Sequence, residues 1–120
     1  MKEINIFKQL IIDAEYYDAH EILEELWFPI RKTKTNYCLV LKGFINAAVS
    51  LELFKRGKIE QSKNVYKTYL KYTSENMLKT LDNYVEFKSL KEFMDKEFQI
   101  IYTTYRLDHH KRIQSPKVEV

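Results

Sequence analysis

Asn36-Tyr37-Cys38-Leu39-Val40-Leu41-Lys42-Gly43-Phe44-Ile45-Asn46-Ala47-Ala48-Val49-Ser50-Leu51-Glu52-Leu53-Phe54-Lys55-Arg56 is the stretch on which the fold turns. Wound as a helix, its apolar residues cover almost the whole circumference. A helix with no face to give to water belongs in the middle of a bundle. Thr35 or Asn36 can cap its start, and Gly57 supplies its stop. The fold expected from it is all-α: a compact bundle of five to six helices around a central apolar helix at about 36–56.

The flanking sequence supplies the covering helices. Ile4, Phe7, Leu10 and Ile11 recur at helical spacing. A second helix runs from about Tyr16 to Phe28, where Pro29 stops or kinks it because proline has no N–H to donate. Arg31 to Lys34 is a basic connection. A fourth helix carries Ile59, Ser62, Tyr66, Tyr69 and Leu70 on one face. Thr73 to Asn76 breaks it before a short turn with Met77, Leu78 and Leu81. Ser89 with Glu92 reads as a capping box opening a last helix with Leu90, Phe93, Met94, Ile101 and Tyr105. The pattern fades beyond Leu107. The expectation is one helical domain at 1–107 and a flexible tail at 108–120.

Composition agrees. A chain of 120 residues can bury a core without staples, and two glycines and two prolines leave little turn chemistry for a β-protein. The single Cys38 excludes an internal disulfide and fits a reducing compartment. The N-terminus has no signal pattern, and no run is expected to reach the ~20 apolar residues of a membrane span. The expected location is the cytoplasm. A net charge of +3 permits an acidic partner without demanding one.

The densest chemistry lies in Asp18-Ala19-His20-Glu21-Ile22-Leu23-Glu24-Glu25-Leu26-Trp27, which joins a histidine, four carboxylates and the only tryptophan. At ~100° per residue, Ala19, Ile22, Leu23, Leu26 and Trp27 share one arc. His20 and Glu24 fall at its margin, one turn apart, where they can touch and flank Trp27. The simplest reading is a structural hydrogen bond beside an indole that needs an acceptor of its own. The sharper reading is a metal. His20-Glu21-Ile22-Leu23-Glu24 looks like the helical zinc-protease motif with its second histidine replaced by Glu, so that His20 and Glu24 would be ligands and Glu21 a base. A third ligand would come from Glu52, His109 or His110.

Glu52 lies on the same stripe of the third helix as Leu41, Ile45 and Ala48, so it must be paired, protonated or near water. In a simple antiparallel hairpin His20 lies opposite about Phe44 and Glu24 opposite about Val40. Glu52 then sits roughly 12 Å further along, at 1.5 Å per residue, near Tyr16. Gly43 falls at the level of His20, where the missing side chain would admit Trp27 or its helix.

Tyr17 to Trp27, then Leu41-Lys42-Gly43-Phe44-Ile45-Asn46-Ala47-Ala48-Val49-Ser50-Leu51 and Arg56-Gly57, resemble a small all-helical prokaryotic family, domain of unknown function 309, over about Ile6 to Leu70. Its signature is His-Glu, a Glu three on and a Trp three further on, then Leu-Gln-Gly, an apolar run and a basic residue before Gly. The resemblance implies a helical bundle with a site at His20, Glu21, Glu24 and Trp27, and implies no activity, cofactor or substrate. Lys42 stands where the family usually has Gln, and Glu52 where many members have His.

A stripe of Lys63, Lys67 and Lys71, interleaved with Tyr66, Tyr69 and Tyr72, could hold RNA phosphates and stack bases, though a solvated helix face explains it as well. The role expected is therefore a non-enzymatic ligand- or protein-binding module with a groove formed by His20, Glu21, Glu24, Trp27, Gly43 and Glu52. A metal-dependent hydrolase built on His20, Glu24, Glu52 and the base Glu21 is the first alternative. An RNA-contacting accessory protein is the second. No cofactor, membrane or nucleic-acid partner is expected. A protein or small molecule is, and a homodimer is left open.

Overall fold

The computed structural model describes residues 1–119, with side chains as far as Leu107. The described residues form six α-helices and one 3-10 turn, with no strand. They are α1 (Lys2–Ile12), α2 (Tyr16–Trp27), the turn Phe28–Ile30, α3 (Asn36–Lys55), α4 (Ile59–Tyr72), α5 (Glu75–Leu78) and α6 (Tyr84–Glu119). The backbone of α6 is thus helical beyond Leu107. The side chains of the expected tail at 108–120, His109 and His110 among them, lie outside the described residues, as does Val120 altogether.

The all-α bundle is as expected, with α3 at its centre. Cys38, Val40, Leu41, Gly43, Phe44, Ile45, Ala47, Ala48, Ser50 and Leu51 are all buried along it. By length and composition α3 could cross a membrane, contrary to the expectation that no stretch reaches that threshold. Here its apolar surface is spent on the bundle, against α2 and α4 along its length and the core beyond. Its ends follow the sequence. The Thr35 hydroxyl accepts from the Cys38 N–H at 3.2 Å. Gly57 takes φ +80°, and Gly57 and Lys58 donate back to the carbonyls of Phe54 and Leu53 in a Schellman closure.

The α3–α4 contact is close because small residues line it. A Cβ on Gly43 would stand 2.9 Å from Thr73 Cγ2 and 3.0 Å from Tyr72 Cβ. Gly43 therefore serves α4, and not the approach of Trp27 or α2 that its position suggested. Two turns on, Ser50 Oγ donates to the Ser62 carbonyl at 2.8 Å and Ser62 Oγ to the Ser50 carbonyl at 2.7 Å, both buried. From α4, the Tyr69 hydroxyl donates to Asp95 of α6 at 2.7 Å. Around Tyr69 the rings of Phe44, Tyr66, Phe87, Phe98 and Tyr102 meet edge-on or tilted at 4.6–6.1 Å.

Two local expectations are corrected. α6 begins at Tyr84, so Ser89 and Glu92 lie inside it and form no cap. The chain turns earlier, and the Phe87 N–H closes onto the Asn83 carbonyl at 3.3 Å. Burial of Phe87 draws this extra turn into the helix, while Ser89 stays on the surface and accepts from Lys8 Nζ. Leu70 is 43% exposed and takes no part in the core face of α4.

Ala14 ends α1 in the same closure that Gly57 gives α3, with Glu15 and Ala14 donating to Leu10 and Ile11, but it holds φ +59° with a side chain present. Ala14→Gly is expected to stabilise the fold by about 0.5–1 kcal/mol, the left-handed penalty less the added unfolded-chain entropy. Urea unfolding checks it. Alkaline pH is expected to act through Tyr69, whose pKa is raised by burial and then by its hydrogen bond to Asp95. A raised folded pKa gives stability that is complete below the ordinary phenol value of 10.0 and is lost above it. Stability should decline as pH rises past that value, and less steeply in Tyr69→Phe.

Candidate functional site at the seam of the second and third helices

α2 lays Tyr16, Ala19 and Leu23 into the core and leaves the neighbouring arc along α3. His20 and Glu24 occupy that margin, as their spacing predicts. His20 Nε2 lies 2.7 Å from Glu24 Oε1, and Nδ1 lies 2.5 Å from the Tyr17 carbonyl. Both ring nitrogens thus face oxygen acceptors, one on each side of the ring. The edge of the Tyr17 ring closes on the imidazole at 4.9 Å between centroids.

The partners across the seam differ from those a tight hairpin gives. His20 faces Val49, Glu52, Leu53 and Arg56, and Glu24 and Trp27 face Lys42, Ile45 and Asn46. The register is displaced because the 3-10 turn Phe28–Ile30 prolongs the second helix past Pro29. The chain reverses only near Lys34, which takes φ +54°. This shift brings Glu52 to the His20 end of the seam.

Two hollows open there. One of about 240 Å³ is lined by Tyr16, Tyr17, His20, Val49, Glu52, Leu53 and Arg56. The next, about 150 Å³, is lined by Glu24, Trp27, Lys42, Ile45 and Asn46. Glu52 is mostly buried and binds Arg56 Nε at 2.7 Å. Burial raises the pKa of the Tyr16 phenol beside it, and the charges of Glu97 and Glu52 raise it further. Lys42 and Glu52, where the chain departs from the pattern it resembles, stand in separate hollows of one seam. They form no single cluster.

His20, Glu24, Trp27 and Glu52 are therefore brought together along the seam. Glu21 points outward and Gly43 lies towards α4. Tyr16 lies beside Glu52 as the hairpin reading placed it, while Arg56, Asn46 and Val49 join the lining unforeseen; the i,i+4 spacing of Glu52 and Arg56 was the available signal for one of them. Among the described residues no three of His, Cys, Asp and Glu gather to hold a metal. Glu52 turns to Arg56, so the ligand set of His20, Glu24 and Glu52 does not converge. Lys63, Lys67 and Lys71 are exposed on α4, with Lys63 near Glu60 at 3.6 Å.

The family model described as domain of unknown function (DUF309) matches residues 6–65. The chain belongs to that family. It is also 39% identical over 57 residues to an uncharacterized protein of Aquifex aeolicus (strain VF5). That alignment covers 48% of this chain and 16% of the relative, so the chain spans a small part of that protein's length. No solved structure matches the chain significantly.

The indole Nε1 of Trp27 is enclosed and has no acceptor among the described residues. An unpaired buried donor costs about 1–3 kcal/mol. Trp27→Phe removes that donor together with some apolar area, and the two effects oppose each other. The variant is expected to unfold within about 1 kcal/mol of the parent, against the about 3–5 kcal/mol typical of deleting a large aromatic outright. Chemical denaturation of both proteins checks it.

Proposed function

We propose that this domain is a non-enzymatic binding module, cytoplasmic in setting, whose α2–α3 seam receives a peptide segment of a partner protein. The observation that carries the reading is the pair of small adjoining hollows at His20 and at Trp27. Each is smaller than the roughly 300–1,000 Å³ of ordinary small-molecule sites. Each suits one anchoring side chain. Val49, Leu53, Ile45 and the rings of Tyr16, Tyr17 and Trp27 offer apolar contact. The pairs His20–Glu24 and Glu52–Arg56 offer donors and acceptors that fix orientation, and Lys42, exposed at the rim with its ammonium 5.9 Å from the Tyr72 ring, adds a positive charge. Recognition of this kind needs no nucleophile and no metal, and the seam is built from two helices packed firmly on the core.

The test is selection of binders from a displayed random-peptide library, followed by titration of the selected peptides. His20→Ala and Lys42→Ala are expected to keep the helical circular-dichroism spectrum and to weaken binding by about tenfold or more, the scale of one lost charged contact. Equal binding by the variants and the parent overturns the reading. Unfolding of His20→Ala assigns the His20–Glu24 bond to stability, and Lys42→Ala, at an exposed position, then decides.

A further inference from the structure

The last turn of α3 serves two sides of the molecule. Leu53 and Arg56 turn to the His20 hollow, while Phe54 turns to α6. There the Phe54 ring meets Tyr102 and Tyr105 at 5.1 and 5.0 Å between centroids, each inclined 72° to it. The two tyrosines are three residues apart, so they stand side by side on one face of α6. With Ile59 from the first turn of α4, the three half-buried rings line a hollow of about 570 Å³. Glu60, Lys63 and Arg106 form its exposed rim. Arg106 makes no ion pair among the described residues. Lys63 comes only within 3.6 Å of Glu60, whose carboxylate is 84% exposed, a long surface contact that holds it loosely. The rim thus sets two cations against one carboxylate, an excess of one positive charge.

We infer that this hollow binds a small planar aromatic carboxylate. Its volume falls within the roughly 300–1,000 Å³ of small-molecule sites, where the two hollows of the α2–α3 seam fall below that range. Its walls are chiefly ring surface, which receives a further ring edge-on or offset. A rigid planar body gives up little freedom on entering, whereas a flexible chain of the same area must be ordered bond by bond. One anionic group matches the charge of the rim. The Arg106 guanidinium can offer a carboxylate two parallel donors, and Lys63 adds a point charge across the opening. The rings alone would also accept a cation, but Lys63 and Arg106 repel one. Tyr102, Tyr105 and Arg106 lie outside residues 6–65, so the hollow is completed by the helix that the family match leaves out. The inference stands apart from the peptide reading, because the two sites share no residue.

Calorimetric titration of the full chain with 2-naphthoate tests it. Saturable binding is expected with a Kd on the order of 0.1 mM, ordinary for a ligand of this size. The neutral 2-naphthamide keeps the rings and drops the charge, and is expected to bind about tenfold more weakly. Arg106→Gln with Lys63→Gln, both at exposed positions, should keep the helical circular-dichroism spectrum and bring the acid down to the level of the amide. Tyr105→Leu keeps apolar bulk without the ring and should weaken acid and amide alike, by about fivefold. Unfolding of Tyr105→Leu leaves the paired charge change to decide. Absence of saturable binding overturns the inference, as does equal binding of acid and amide. So does binding that survives the paired change and is lost in Arg56→Gln, which places the probe in the α2–α3 seam. Tighter binding of decanoate than of 2-naphthoate, lost in the same paired change, assigns the hollow to an acyl chain and overturns the planar ligand.

Discussion

The close approach of α3 and α4 is the constraint from which the rest of the bundle follows. Gly43 leaves no room for a methyl group between α3 and the end of α4. Ser50 and Ser62 bind each other's carbonyls across the same contact. A helix carbonyl already engaged along its own axis accepts a second bond there, so two buried hydroxyls are satisfied with no loss of helical structure. Larger residues at these positions would push α4 outward. Tyr69 would then lose the depth from which it reaches Asp95, and α6 would lose the aromatic ridge on which Phe87 and Phe98 seat.

Because small residues hold α4, α3 can spend its remaining surface on α2. That surface is where its few polar side chains fall. Lys42, Asn46 and Glu52 look like blemishes in an apolar helix, and each sits along the seam, where the bundle is open enough to hydrate or pair it. A half-buried carboxylate gains from a partner, and Glu52 finds Arg56 one turn on, at the end of its own helix. The seam is thus a consequence of the packing and also the place where the polar side chains of α3 collect.

The fold was legible because the signals for it are local. Twenty residues of unbroken helix, a Thr cap, a Gly stop and a Pro that ends α2 need no tertiary information. The His20–Glu24 contact was legible for the same reason, being one helical turn. What could not be read was the register between helices. It depends on Phe28–Ile30 winding one further turn before Lys34 reverses the chain, and a basic loop sequence does not reveal that. The misplacement of Gly43 has the same origin. A glycine shows that something approaches closely, and only the packed structure shows that it is Thr73 and not Trp27. The Ser89 cap failed because its spacing also fits an exposed helix face, and burial of Phe87 outweighs it.

The extent of the family match carries a further physical point. Residues 6–65 contain most of α1, all of α2 and α3, and the first half of α4. They include the seam from Tyr16 to Arg56 and both members of the Ser50–Ser62 pair. They exclude Tyr69 and the whole of α6. The matched part could not stand as a closed globule as it is, since Phe44 and Leu41 would lose the cover that Phe87, Leu90 and Met94 give them in this chain. It is a half-bundle with the polar α2–α3 seam on one side and an apolar side awaiting a lid. Here the lid is a single long helix joined by α5. The requirement on it is only that it present aromatic and aliphatic residues at helical spacing, which is a loose one. The requirement on the seam is tighter, because charged groups must find their partners at hydrogen-bonding distance. The part with the stricter physical demands is the part that the family model covers.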